Sequence, residues 1–425
     1  MAMEDLINSN VIFVLQLKDN YLNQKILAIG AMALFNWVLN SKVNAQATLT
    51  KKETKHWYET ISLRGYMQIR YNRLFETNSK LKNEQADRSW GENGGISIRR
   101  GRLILSGNLT ENIYFYIQPD ISQTVGTTLN LLQLRDAYVD IGLNRNSEFR
   151  IRVGQSKVPY GFENMQSSQN RLTLDRSDAL NSAVPNERDL GAFLYWRPAK
   201  TKELYANLIK DNLKGSGDYG VFAFGVYNGQ VANKPELNNY LHIVSRISIP
   251  IKIGSQLIEP GIQAYSGKYT LPSENLTSGV KVMKSLTFND KRIAESFILY
   301  PKPFGLQIEY NVGEGPRYNP AKDSVESSTL NGGYVLLNYR IKGKRKEETF
   351  FPFSRYQSYN GGKKQELDAR SYLVRELETG LEWQFNKTLE LTASYVISHR
   401  KFEDSKLKSN DQKGRLLRLQ LQVNF

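Results

Sequence analysis

The 425-residue sequence contains no cysteine. That removes thiolate metal sites, cysteine nucleophiles and disulfide staples from consideration. Its three histidines, His56, His242 and His399, stand apart from any G-x-S-x-G or H-E-x-x-H pattern, so no hydrolytic or zinc-enzyme signature accompanies them. Proline is scarce, at 13 residues. Beyond residue 47 there is no apolar run of about 18 residues, which excludes membrane-spanning helices from the remainder. A β-barrel escapes that exclusion, because only every second residue of a transmembrane strand faces lipid.

What the sequence has instead is a formal charge of +15, with Tyr (24) outnumbering Phe (18), and a mean hydropathy of −0.49. This balance suits amphipathic strands better than an oily core. A basic balance attracts anions, nucleic acid or acidic lipid. Nucleic-acid binding would cluster the cations on one element with interleaved aromatics, whereas here they are spread along the whole chain. Nothing in the sequence calls for a cofactor or a metal.

Near the start, Lys25 precedes an apolar run, Ile26 to Leu39, and then the small-residue site Ala45-Gln46-Ala47. These are the three parts of a secretory signal peptide, expected over residues 25–47, with Thr48 as the first mature residue. Residues 1–24 in front of it read as an N-terminal extension from a start codon assigned too early. Residues 48–60 then form a short periplasmic segment leading into a barrel over 61–425.

Period-2 alternation recurs through that region, punctuated by turn residues. The segments are 61–72, 96–107, 111–121, 131–142, 148–157, 189–197, 218–228, 239–250, 256–268, 292–301, 304–314, 332–341, 348–359, 374–385, 388–401 and 413–425, sixteen in all. Their length, about 9–14 residues, suits a tilted strand crossing a bilayer. Short links at 108–110, 143–147, 251–255, 302–303, 342–347 and 386–387 alternate with long ones at 73–95, 158–188, 269–291 and 315–331. Short periplasmic turns and long external loops mark a transmembrane antiparallel β-barrel. An even strand count puts both ends on the periplasmic side, and a barrel of sixteen strands has a lumen wider than side chains alone fill. One inner link is long. Residues 198–217 carry Leu204, Leu208 and Ile209, which suit one face of a short helix or else belong to a flexible loop.

Parity assigns the faces. With Phe149, Ile151 and Val153 toward lipid, Arg150 and Arg152 face the lumen. The same reasoning places Arg64, Arg70, Arg100, Arg102 and Arg246 inside. Arg99 falls on the lipid face unless it sits at the rim or in a bulge, because a charge at mid-bilayer costs a few kcal/mol. Inward acids follow on early strands, Asp120, Asp136 and Asp140, and then Glu309, Glu378, Glu382 and Glu390 on later ones. The expected field therefore runs across the pore, from an arginine-lined early wall to an acidic late wall, and charged rows of this kind set ion preference. The loop over 158–188 is the longest external link. Its polar residues (Asn164, Gln166, Gln169, Asn170) and Arg171, Arg176 and Arg188 suit an inward-folding constriction. A sugar-preferring pore would use inward rings, for which Tyr66, Tyr114, Tyr116 and Tyr138 are the candidates. A plugged receptor of about 22 strands is excluded by length.

Several segments resemble the phosphate-selective porin O and P family of Gram-negative outer-membrane porins. They run in family order: Ile98-Arg99-Arg100-Gly101-Arg102-Leu103, Arg135-Asp136-Ala137-Tyr138-Val139, Arg152 to Gly161, Glu187-Arg188-Asp189-Leu190-Gly191, Gly225-Val226-Tyr227-Asn228-Gly229 and Pro352-Phe353-Ser354-Arg355-Tyr356-Gln357. The resemblance implies a homotrimeric outer-membrane channel for small anions or other small solutes, with arginines down the lumen and basic residues at the constriction. Lysines near the constriction accompany phosphate selectivity in the family. Here the loop over 158–188 has none, and 269–291 offers Lys281, Lys284 and Lys291. The closing strand ends on Phe425, which resembles the signal read by the barrel-assembly machinery.

Overall fold

The computed structural model describes residues 56–74, 95–122, 130–144 and 146–425. The leader expected over 25–47, the extension 1–24 and most of the first external loop lie outside the described residues. Of the short N-terminal segment, Trp57–Thr60 forms one 3-10 turn, tied down where Thr60 donates to the Asn108 carbonyl at 2.7 Å.

Sixteen strands form one closed antiparallel barrel. They are β1 Ser62–Leu74, β2 Gly95–Asn108, β3 Ile113–Ser122, β4 Leu131–Gly142, β5 Phe149–Lys157, β6 Arg188–Trp196, β7 Phe222–Tyr227 and β8 His242–Ser248. Then come β9 Gln256–Thr270, β10 Thr287–Leu299, β11 Phe304–Asn319, β12 Ser324–Tyr339, β13 Thr349–Gly362, β14 Ser371–Gln384, β15 Leu389–Glu403 and β16 Asp411–Asn424. Two short paired pieces, Ile251–Ile253 and Ile341–Lys342, continue β8 and β12 past Pro250 and Arg340. Every segment of expected alternation is a strand. The external link expected at 315–331 is not a loop, however. Gly313, Gly315 and Pro316 read as turn residues, yet β11 and β12 stay paired from Phe304↔Tyr339 to Asn319↔Ser324 and close in a tight turn.

Alternation decides the faces. On β5, Phe149 and Val153 are exposed outward, while Arg150 and Arg152 are buried inward. The seam between β1 and β16 runs from Tyr66↔Asn424 to Leu74↔Leu416. Beyond it, Gly65 and Phe425 exchange both backbone hydrogen bonds, at 2.7 and 3.0 Å. Gly65 is required there: a Cβ would meet the Arg102 carbonyl and lie 2.8 Å from the Phe425 ring.

Two bulges break the early register. One falls between Gln68 and Ile69 of β1, where the register passes from Arg100 to Ile98 and skips Arg99 of β2. The other falls between Gln118 and Pro119 of β3, opposite Arg135 of β4. A bulged residue leaves the alternation and can re-aim its side chain. Arg99 accordingly reaches inward to Asp175 at 3.8 Å, and Arg135 to Glu187 at 3.3 Å.

The core of the molecule sits inside the barrel. Tyr160, Leu172, Ala179, Leu180 and Val184 of the long loop pack against inward aromatic and aliphatic side chains of the wall, among them Phe193, Tyr195, Leu336, Phe351 and Phe353.

Candidate functional site

The lumen is shaped by the loop between β5 and β6, which folds inward. It enters through Val158-Pro159-Tyr160-Gly161, where Gly161 takes a left-handed conformation (φ 81°) and starts a helical turn, α1 Phe162–Met165. The free N–H groups of Phe162 and Glu163 donate to the carboxylate of Glu309 on β11, at 2.6 and 2.8 Å. A second turn, α2 Asp178–Asn181, lies against β12 and β13.

Acidic side chains of the loop clamp it to the wall. Asp175 accepts from Arg70 at 3.1 Å and from Arg418 at 2.9 Å. Asp178 takes both terminal nitrogens of Arg400, at 3.0 and 2.9 Å, and pairs with Lys363 at 2.7 Å. Glu163 accepts from Arg355 at 2.9 Å. Bidentate and charge-assisted bonds of this kind fix geometry as well as charge.

The expected pore-lining arginines therefore divide. Arg70 holds the loop. Arg102 pairs with Asp120 at 3.0 Å and donates to the Tyr66 hydroxyl at 2.8 Å. Arg152 makes a fork to Asp140, at 2.7 and 2.8 Å, with its guanidinium 3.8 Å from the centre of the Tyr138 ring. Arg150 reaches Asp218 at 3.3 Å, and Arg246 pairs with Glu259 at 3.0 Å. Arg64 is exposed at the periplasmic mouth, where it helps line a cavity of about 690 Å³. Arg100 differs from these, because its bond at 2.9 Å goes to the neutral Gln68.

Among the loop residues, Arg176 and Arg188 both pair with Glu187, and Arg188 also donates to Asp136 at 2.9 Å. Arg188 opens β6 rather than lying in the loop. Arg171 is buried, donates to the Leu174 carbonyl at 3.3 Å, and has two further guanidinium nitrogens with no hydrogen-bond partner. Arg99, Arg102, Arg171 and Arg70 are the cationic neighbours of Arg100, with the Asp175 carboxylate also near it. The early wall and the loop thus bring Arg100 and Arg171 into one cationic centre.

The late wall is mixed. Glu378 pairs with Arg355 at 3.0 Å, Glu382 pairs with Lys214, and Glu390 accepts from Asn424 at 3.0 Å. Arg292, Arg355, Arg400 and Arg418 share that side, all buried. Parity would have shown these arginines too, but their role needs the loop acids that face them. Lys281 and Lys284 are exposed, whereas Lys157, Lys214, Lys363 and Lys364 are buried in the lumen. Of the candidate aromatic rings, Tyr66 is buried under Ser168, and Tyr116 and Tyr138 stack at 5.1 Å and remain partly open. His242 faces inward, fully buried 3.2 Å from Asp290.

A family model described as phosphate-selective porin O and P matches residues 80–425. Comparison with curated proteins finds no match. Among solved structures, the outer membrane channel DcaP of Acinetobacter baumannii superposes with a TM-score of 0.52 at 11% identity, covering 86% of this chain and 97% of that one. Salmonella typhi OmpF, in complex with daunomycin, gives a TM-score of 0.50 at 12% identity, with coverage of 86% and 97%. At these identities the likeness is one of fold.

Proposed function

This chain belongs to the phosphate-selective porin O and P family, and we propose that its channel favours small anions, phosphate among them. It is a porin of the Gram-negative outer membrane, a channel rather than an enzyme. The observation that carries the anion preference is the Arg100–Arg171 centre, where no salt bridge to either guanidinium is found among the described residues. An unpaired buried cation is costly to the fold, and a passing anion relieves that cost. Rows of fixed charge lower the entry barrier for the opposite sign.

Reversal potentials in a KCl gradient test this reading. The wild-type channel should pass chloride in preference to potassium, and the R100Q/R171Q variant should move toward no preference. Each lost charge removes about 1 kcal/mol of attraction in a wet lumen. Cation preference in the wild type would refute it. A second reading, a sugar-preferring pore, is favoured by the partly open Tyr116–Tyr138 stack. Block of ion current by a neutral sugar, but not by phosphate, would select it.

The same reading includes a homotrimer in outer-membrane lipid, delivered by the assembly machinery through Phe425. It also includes an exported chain whose mature N-terminus is Thr48, which mass spectrometry of the membrane-extracted protein would establish. No catalytic activity accompanies transport on this reading, and assays of the purified trimer with ester and phosphoester substrates should stay at background.

A further inference from the structure

The longest periplasmic connection, between β6 and β7, turns into the barrel. It opens with a helix, α3 Ala199–Lys210, whose Tyr205 and Leu208 are buried with Leu213 against Leu257, Ile298 and Tyr300 of the wall and Phe162 of the loop. Ile209, expected on that face, is exposed instead, and Tyr205 takes its place. The chain then runs as a strap over residues 211–220.

The strap is fastened at both ends and in the middle. On one side, Arg150 of β5 donates to Asp218 at 3.3 Å and Tyr205 donates to the Gly220 carbonyl at 3.1 Å. On the far side, Lys214 forms an ion pair with Glu382 and Asn212 donates to Gln384, both on β14. Between them Gln166 of the long loop donates to the Lys214 carbonyl at 2.6 Å. In a ring of sixteen strands, β5 and β14 stand on opposite sides, so a segment bonded to both crosses the lumen. Its path is deliberate: Asn212 (φ 53°) and Lys214 (φ 62°) hold left-handed conformations that side chains adopt at a cost, alongside Gly217 (φ 102°) and Gly220 (φ 73°). The cavity at the periplasmic mouth is bounded by Asp211 and Asn212 of the strap together with Gln169 and Asn170 of the loop.

We propose that the strap at residues 211–220 is a second constriction, a fixed bar across the periplasmic half of the pore that sets the size limit together with the loop at 158–188. This rests on the porin reading of the chain. Lys214, Glu382, Asn212 and Gln384 are its positioning residues, and a solute that has passed the loop must still pass the bar.

The absence of cysteine makes the test clean. In N212C/Q384C, which lacks the bond between these positioning residues, a short bifunctional thiol reagent should join the two positions in the assembled barrel and bring single-channel conductance back from the raised value of the unlinked variant to that of the wild type. Excising residues 213–217, or releasing the bar with Lys214→Met, should raise conductance by about twofold or more and admit larger polyethylene glycols. Three results overturn the proposal: cysteines that cannot be joined, a joined variant that conducts less than the wild type, or a heat-modifiable excision variant with wild-type conductance. If the excised chain does not assemble, the crosslinking arm still decides. A wild-type protein with no channel activity at all would remove the porin reading instead.

Discussion

Asp175 shows how much one residue carries in this lumen. Its carboxylate accepts from Arg70 and Arg418 and lies 3.8 Å from Arg99. Replacing it by Asn removes a counter-charge that several buried guanidinium groups share, a change that costs about 3–5 kcal/mol in such settings. Because the loop is held by several clamps, the barrel should survive while the loop loosens. Asp175→Asn is expected to flicker in single-channel recordings and to expose 158–188 to protease. Burial alone would raise the Asp175 carboxyl, but the charges of Arg70, Arg418, Arg99 and Arg100 outweigh it and hold it well below the ordinary carboxylate range. A carboxyl depressed in the folded state gives stability that is fully present above its unfolded value of about 3.9 and is lost as pH falls through the lower folded value. Wild-type traces should therefore stay quiet from pH 7 down to about 4, and flicker beginning at pH 6 would contradict the clamp. Leu180, fully buried in the same loop, tests the apolar half of the docking. Leu180→Ala should weaken it by about 2–5 kcal/mol, read as faster loop proteolysis at unchanged barrel heat-modifiability.

At the scale of elements, strands were legible because a bilayer imposes alternation on any chain that crosses it as a sheet. Arg150 and Arg152 were placed by parity alone, and the structure keeps them inside. Parity fails where pairing slips by one residue, and both slips fall beside an arginine. Arg99 and Arg135 could be recognised as anomalous only by the cost of a charge in lipid. Where they point depends on which partner residues the bulge skips, and a single sequence does not encode that locally. The strap and the buried Lys363 and Lys364 were illegible for a related reason. Nothing in a connection's own composition says whether it turns into the lumen or away, since the partners it meets, Glu382 or Asp290, lie far along the chain. Bulges also make a prediction. Deleting Arg99 should remove the extra residue and leave both flanking faces as they were, so the barrel folds with one less lumen charge. Inserting one residue after Leu103 should swap the two faces of β2 beyond it, turning Leu105 inward and Ser106 toward lipid, and should abolish heat-modifiable assembly. Equal assembly of both variants would contradict the observed register.

The described residues form a barrel with its core and much of its charge on the inside, and this changes what removing the long loop should do. Residues 162–184 carry three acids, Glu163, Asp175 and Asp178, against two arginines, Arg171 and Arg176. Excision therefore leaves the lumen one positive charge richer. It also uncovers Arg70, Arg355, Arg400 and Arg418, which now face the loop's acids rather than water. A wider pore would ordinarily be less selective. Here the wall arginines, rid of the loop's acids, offset the lost Arg171, so at low salt the excised channel should conduct more and still favour chloride over potassium. In 1 M salt the screening length shrinks to about 3 Å, shorter than the reach from wall to pore axis in a barrel of this size, and the preference should disappear there. If the intact channel brings a passing anion into contact with the Arg100–Arg171 centre, as proposed, its preference should persist at 1 M. Reversal potentials at both salt concentrations separate the two mechanisms: charge on the wall acting at a distance, and charge at the Arg100–Arg171 centre acting in contact. An excised channel that loses anion preference even in dilute salt would mean that the pairs Arg355 and Arg400 already make with Glu378 and Glu376 of the same wall neutralise them, leaving the loop as the sole source of selectivity.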